Sequence, residues 1–201
     1  MKKVLWDLCS GLGGWSEAFV QDDWLVIRIE INTKLTYIPH TYHWDVRDWA
    51  DWIDLLPKPD LILASPPCTE FSMAQNFHGN RSDNPDMSIL ESIIDIIKIT
   101  KPKYWCIENV AGACRFFEPY LGKHTQRAGP FYLWGNFPYV ALDPSWTHSK
   151  EDEVKGPRNL RANQRGKIPF VVSFKMLQAF KQQRTLAEYL MLGPIEDVDV
   201  E

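Results

Sequence analysis

Cys68 follows a short apolar run, Leu61-Ile62-Leu63-Ala64, and two consecutive prolines, Pro66 and Pro67. Each proline fixes its own φ and removes a backbone donor, so the chain leaves the run on a stiff track. A thiol held on such a track is a positioned nucleophile. Downstream, a second strand-like run, Tyr104-Trp105-Cys106-Ile107, delivers Glu108-Asn109-Val110. A nucleophilic thiol and a carboxyl group, both at strand ends of an α/β sheet, suit attack on an electron-poor heterocycle. The blander readings are a buried small hydrophobe for Cys68 and a surface or capping carboxylate for Glu108. Cys106 and Cys114 read as packing residues, and His78, His124 and His148 show no partner spacing. The four cysteines lack CxxC or Cys/His spacing, so neither a disulfide framework nor a metal site is indicated.

A second constellation lies near the N-terminus. Asp7-Leu8-Cys9-Ser10-Gly11-Leu12-Gly13-Gly14 sits between a predicted strand and a predicted helix. A glycine-rich turn there brings backbone close to a ligand and aims helix N–H groups at it. Glu30 ends the next predicted strand, nineteen residues after Gly11. An acid at that point can accept hydrogen bonds from both hydroxyls of a ribose. Asp45, in His43-Trp44-Asp45-Val46, is either a further ligand contact or a helix N-cap, with equal weight.

These residues need a sheet to carry them. Predicted strands cover Val4–Leu8, Trp24–Ile29, Thr41–Trp44 (weak), Leu61–Ala64 and Tyr104–Ile107. Helical stretches fall at Trp15–Val20, Thr33–Ile38, Trp49–Leu56 and Met87–Ile99, the last stopping before Pro102. Such alternation argues an α/β fold with a mostly parallel sheet. Phe131 to Val140 reads as an antiparallel hairpin turning at Gly135-Asn136. Thr69–Asp86 is long for a connection and fits a closing loop. Glu151–Gly166 reads as polar and mobile, Phe170–Leu192 as helix, and the segment after Gly193 as an acidic, frayed tail.

Together the three motifs, in this order, resemble the DNA cytosine-C5 methyltransferases, in a small, phage-like form. The likeness covers residues 3 to about 110. It implies a Rossmann-like class I methyltransferase fold, with helices on both faces of a mostly parallel sheet and an antiparallel hairpin. It implies S-adenosylmethionine as cofactor, with Asp7, Cys9, Ser10, Gly11, Gly13, Gly14, Glu30, Ile31, Asp45, Val46 and Pro66 around it. Gly11 and Gly13 would lie beside its amino-acid end and Asp45 near its adenine. It also implies Cys68 as nucleophile toward C6 of cytosine, Glu108 on the ring's N3 edge, Asn109 holding the turn and Pro67 shaping the pocket wall. The family's arginine for cytosine O2 carries over to Arg127, in Thr125-Gln126-Arg127. Gln164-Arg165-Gly166-Lys167-Ile168-Pro169 resembles the family's final motif, which packs back on the cofactor pocket. Three departures stand out: Cys9 where the family carries Phe, Ser65 where it carries Gly before Pro-Pro-Cys, and the broken spacing around Arg127.

The target base is inaccessible inside a duplex, so it must be rotated out or presented on a single strand. Phe71, Ser72, Gln75, Asn76 and Arg81 of the closing loop are candidates to fill the vacated space or touch phosphate. Between the hairpin and the final motif there is no room for the family's target-recognition domain. Short or relaxed specificity follows, or a specificity partner protein, with Arg158, Arg161, Arg165 and Lys167 on phosphate. The resemblance leaves open an RNA-directed (tRNA) relative and an inactive nucleic-acid-binding module. Amino-directed DNA methylation is disfavoured, because Cys68 stands where that chemistry needs an aromatic residue.

The charge distribution agrees with two halves of different tasks. Residues 1–114 carry a net −6, residues 115–184 a net +7 and residues 185–201 a net −5. A basic stretch beside an acidic one fits a phosphate-facing segment joined to a cofactor-binding one, although such runs are more often solvated surface. One domain over residues 1–192 is expected: 1–60 for the cofactor, 61–140 for catalysis, 141–169 as a reduced DNA-recognition segment and 170–192 as a helix. No signal peptide and no apolar stretch of the ~20 residues needed to span a membrane are read. A reducing cytoplasm, bacterial or of a phage-infected cell, is the expected compartment.

Overall fold

The computed structural model describes residues 2–69, 71, 84–148 and 160–182; for Arg161 and Ala162 it describes the backbone only. Its centre is a seven-stranded sheet in the order β3-β2-β1-β4-β5-β7-β6. The strands are β1 (Val4–Leu8), β2 (Leu25–Ile29), β3 (Thr41–Tyr42), β4 (Leu61–Ala64), β5 (Tyr104–Asn109), β6 (Gln126–Ala128) and β7 (Phe131–Asn136). The first five pair in parallel, whereas β7 runs antiparallel between β5 and β6. Helices α1 (Glu17–Gln21), α2 (Trp49–Trp52), α3 (Ser88–Thr100), α4 (Cys114–Leu121), α5 (Arg161–Gly166) and α6 (Phe170–Gln182) complete the fold. None of the described helices is long and apolar enough to cross a membrane.

Both sheet faces are covered, which is why β4 reads as an unbroken apolar run and β1 is buried along its whole length, Asp7 included. Alternate residues serve opposite layers. Trp6, Leu8, Ile62, Ala64 and Ile107 face α2, α3 and α4, meeting Trp52, Leu90, Ile93, Ile96 and Phe117. Leu5, Leu61, Leu63 and Cys106 face α1 and α6, meeting Phe19, Val172, Met176 and Phe180. Helix α3 begins where Asp86 Oδ1 accepts the Ser88 N–H (2.9 Å). It ends at Lys101, which adopts φ 47° one residue before Pro102.

Several expectations shift. The hairpin turn lies at residues 129–130, not at Gly135-Asn136, which instead end β7 and pair with Trp105 and Cys106. Gly135 is required there for another reason: a Cβ would collide with the Trp105 carbonyl. The Trp49–Leu56 helix shortens to α2 flanked by 3-10 turns, and Thr33–Ile38 contracts to one such turn. Helix α4, which holds Pro119, was not expected. The end of the polar stretch 151–166 forms helix α5, and residues 151–159 lie outside the described residues. Of the helix expected over 170–192, residues 170–182 are described; the acidic tail lies outside the described residues.

Candidate active site

In open α/β sheets, ligands bind beyond the carboxyl ends of strands where the connections change direction. Here that point lies between β1 and β4. A cleft of about 300 Å³ opens there. It is lined by the turn after β1 (Cys9, Ser10, Gly11, Gly14), by Glu30 and Ile31 after β2, and by Trp44, Asp45, Val46 and Arg47. Ser65, Pro66, Pro67 and Cys68 after β4, Glu108 of β5, Phe131 of β7, and Asn163, Arg165, Gly166, Lys167 and Ile168 also line it.

The turn after β1 rests on a buried polar network. Asp7 is 1 % exposed and accepts the Ser16 hydroxyl (2.6 Å). Arg28, 4 % exposed within β2, donates from Nε to Ser16 Oγ (2.9 Å) and from its terminal nitrogens to the carbonyls of Gly13 (3.2 Å) and Pro39 (2.8 Å). Burial pushes the Asp7 carboxyl up to about 6, against the opposing pull of Arg28 and the Ser16 hydrogen bond. Asp7 therefore supports the turn and also lines the cleft. Gly13 supports the turn too, because its missing Cβ would stand 2.6 Å from the Arg28 guanidinium. The sequence reading missed Arg28, since an arginine inside a strand normally signals a solvent face.

The cofactor end is preorganised. Glu30 accepts the Gly11 N–H on Oε2 (2.7 Å) and the Asn32 N–H on Oε1 (2.9 Å). Each carboxylate oxygen retains a second lone pair for a ribose hydroxyl. Gly11 adopts φ +52°, and the space a Cβ would occupy is open. Cys9 adopts φ 56°, a conformation rare for a non-glycine residue and concentrated at ligand clamps. Ser10 Oγ and Trp15 Nε1 are buried without hydrogen-bond partners among the described residues. Asp45 caps a 3-10 turn by accepting the Arg47 N–H (2.9 Å), and it also lines the cleft. The Arg47 guanidinium pairs with it (2.5 Å) and holds its carboxyl below the usual range. Trp44, stacked on Trp52 at 5.8 Å, places an aromatic ring in the cleft lining, where residue 9 is a cysteine.

At the other end, Asn109 joins the end of β5 to the proline turn after β4. It is 1 % exposed; its Nδ2 donates to the Pro66 carbonyl (2.9 Å) and its Oδ1 accepts the Val110 N–H (2.9 Å). The Cys68 carbonyl accepts the Phe71 N–H (3.1 Å). Phe71 packs against Phe116 and Phe117 at 5.5 and 5.3 Å. Cys68 is thus fixed on both sides. Phe71, a candidate for filling the space of an extruded base, is instead a core residue at 5 % exposure. Ser72, Gln75, Asn76, Arg81 and Arg158 lie outside the described residues, as does the Arg161 side chain. Glu108 is 7 % exposed and enters the cleft. Cys106, one turn of the pleat below it, is sealed in the core with its thiol held far in the protonated direction by burial.

Arg127 is not among the residues lining this cleft. Its Nε donates to the Gly129 carbonyl (2.8 Å), and its guanidinium lies over the Tyr132 ring. Lys167 pairs with Glu17 (3.0 Å), which engages a side chain expected on phosphate. The final motif does pack back on the cleft: Gly14 lies so close to Ile168 that a Cβ would meet its carbonyl. Asn163 was missed, within a helix too short to show periodicity.

A β3-β2-β1-β4-β5-β7-β6 sheet with its cleft at the β1/β4 divide defines a class I methyltransferase fold. The Entamoeba histolytica methyltransferase EhMeth shares it with a TM-score of 0.51 and 14 % identity, over 78 % of this chain and 61 % of that one. Residues 4–118 match the family described as C-5 cytosine-specific DNA methylase, and the chain belongs to that family. It is 35 % identical over 66 residues to the type II methyltransferase M1.HphI of Haemophilus parahaemolyticus, covering 33 % of this chain and 17 % of that protein. It is 31 % identical over 77 residues to the DNA (cytosine-5)-methyltransferase CMT1 of Oryza sativa subsp. japonica, covering 36 % of this chain and 7 % of that protein. The chain thus spans a minor part of these relatives' lengths. Family and fold imply S-adenosylmethionine as methyl donor, and the open seat at Gly11, the Glu30 carboxylate and the unpartnered Ser10 and Trp15 groups suit it.

Proposed function

We propose that this chain methylates C5 of cytosine in DNA through a transient bond between Cys68 and C6. The observation that carries this reading is a shared cleft: Cys68 and Glu108 line the same cavity as Gly11 and Glu30. Glu30 and the turn after β1 would hold the cofactor, with Trp44 and Asp45 at its adenine. When bound, S-adenosylmethionine supplies an electrophilic methyl group on sulfonium sulfur.

Cys68 gives its proton to solvent and its sulfur adds to C6, so the C5–C6 π pair moves to C5. Glu108, shielded from water, holds a proton at N3 and so stabilises the charge that develops on the ring. The electron pair at C5 would then take the methyl group as its bond to sulfonium sulfur breaks, leaving S-adenosylhomocysteine. Removal of the C5 proton to water returns its electron pair to the C5–C6 bond as the Cys68–C6 bond breaks. Asn109 and Pro67 keep the thiol aligned through both steps. The basic segment beyond residue 115 faces phosphate, and the base reaches the cleft extruded or on a single strand.

DNA containing 5-fluorocytosine tests this, because fluorine cannot leave C5 as a cation and the adduct persists. Wild-type chain with S-adenosylmethionine yields a denaturation-resistant DNA adduct, and Cys68→Ala yields none. An adduct formed with fluorocytosine tRNA and not with DNA moves the substrate to RNA. No adduct with either overturns the mechanism.

A further inference from the structure

Helix α4 presents Cys114 and Glu118 four residues apart, and therefore on one face. Just past the helix, Gly122 adopts φ +73° and the chain reverses into β6. This reversal brings His124 over that face. The Sγ of Cys114, a carboxylate oxygen of Glu118 and a ring nitrogen of His124 all lie within 4.8 Å of one another. Nothing in the Cys-x3-Glu-x5-His spacing announces this, and among the described residues it is the place where three such groups converge.

The histidine is held in position. Its ring packs edge-on against Tyr132 (4.9 Å) and Trp134 (6.2 Å) of β7. Trp134 in turn donates its indole N–H to the Gly122 carbonyl (3.1 Å), which fixes the reversal. A second observation points to a missing partner: His124 Nδ1 is buried and makes no hydrogen bond among the described residues. A buried polar nitrogen without a partner is an uncommon feature in a packed structure.

We propose that Cys114, Glu118 and His124 form a binding site for a divalent cation of zinc type, which clamps helix α4 to the β6–β7 hairpin. The donor set selects the class. One sulfur, one nitrogen and one carboxylate oxygen suit zinc, whereas magnesium and calcium favour oxygen throughout. Bond lengths of about 2.0–2.3 Å to a tetrahedral ion set ligand separations of roughly 3.5 Å, so a side-chain shift of about 1 Å closes the site. Water takes the fourth position. Cys114 binds as thiolate and its proton passes to solvent, so affinity rises with pH. The helix so clamped begins just after the loop that leaves Glu108, which ties the metal to the rigidity of one wall of the cleft.

Cobalt(II) is the probe, since a thiolate bound to it absorbs in the near ultraviolet. Titration of the purified chain gives this band at one equivalent. The band persists in Cys68→Ser, disappears in Cys114→Ser and is displaced by zinc. Zinc at a hundredfold excess over Kd raises Tm by roughly 5 °C or more in the wild type and leaves His124→Gln and Glu118→Gln nearly unmoved. Zinc also shields Cys114 of the wild-type chain from alkylation, read by mass spectrometry, which requires no variant to fold. Absence of the cobalt band, or a band that follows Cys68 and ignores Cys114, overturns the site.

Discussion

Asn109 donates a hydrogen bond to the Pro66 carbonyl across 2.9 Å, joining the end of β5 to the proline track that carries Cys68. Proline offers its carbonyl but no N–H, so a donor side chain is the natural partner. The same amide accepts the Val110 N–H, so one buried side chain sets the exit of both β4 and β5.

Asn109→Ala therefore misaligns Cys68 and Glu108 together. We expect kcat to fall about 10²-fold, the scale of a 1 Å misplacement, with the cofactor Kd little changed. Stability falls by about 1–3 kcal/mol for the orphaned partners. Asn109→Asp keeps the acceptor for Val110 and loses the donor to Pro66, so it should resemble Ala in kcat. Single-turnover methylation and thermal melts check this; normal kcat in both variants would remove the positioning role.

Glu30 closes the Gly11 turn through two backbone contacts. Glu30→Ala should weaken S-adenosylmethionine binding by roughly 10²-fold, in line with the loss of charge-assisted hydrogen bonds. Glu30→Gln should lie between, because the amide still accepts at one atom. Calorimetric titration decides, and unchanged affinity in Glu30→Ala would exclude a cofactor role.

The buried Asp7 carboxyl gives a pH signature. Its value moves from 3.8 to about 6 on folding, through burial acting against Arg28 and Ser16, with Glu30 adding to the rise. Between these values the folded chain holds a proton that the unfolded chain has released. Stability conferred by Asp7 is therefore present in acid and declines as pH rises from about 4 to 6, by up to about 3 kcal/mol. In Asp7→Asn this decline should flatten. Melts across that window test it, and an identical slope in both proteins would contradict it.

Trp44 is expected to replace the ring that residue 9 does not carry. Trp44→Ala should weaken S-adenosylhomocysteine binding about tenfold, and Trp44→Phe much less. Equal affinities in the three proteins, measured by equilibrium dialysis, would leave Trp44 to packing alone.

Gly135→Ala adds a methyl group against the Trp105 carbonyl at φ +143°. Because this collision is with backbone in a paired strand, a loss of about 3 kcal/mol or more is expected, with the β5–β7 pairing affected first. Denaturant melts measure it.

Much of the site was readable because its residues follow short, bounded apolar runs. Leu61–Ala64 stands as read, and it delivers Pro66, Pro67 and Cys68 to the cleft. Glu30 and Glu108 were marked by their places at strand ends. Tertiary events escaped that logic. Gly135-Asn136 looks like a hairpin turn, yet strand proximity dictates the glycine and Gly129-Pro130 makes the turn. Phe71 appeared in a polar loop but is buried by α4, a helix the pattern around Pro119 concealed. Arg28 was hidden because sequence periodicity cannot tell that a charged residue in a strand has buried carbonyl, hydroxyl and carboxyl neighbours.

The hydroxyl of Ser173, on α6, donates to the Trp15 carbonyl and accepts the Ala18 N–H, and Lys181 reaches Asp22 from the same helix. The glycine turn that would seat the methyl donor is thus buttressed by residues made some 158 positions later. Truncation before α6 would remove this outer support from the seat. Donor affinity should consequently depend on α6, far along the chain from the turn that would hold the donor.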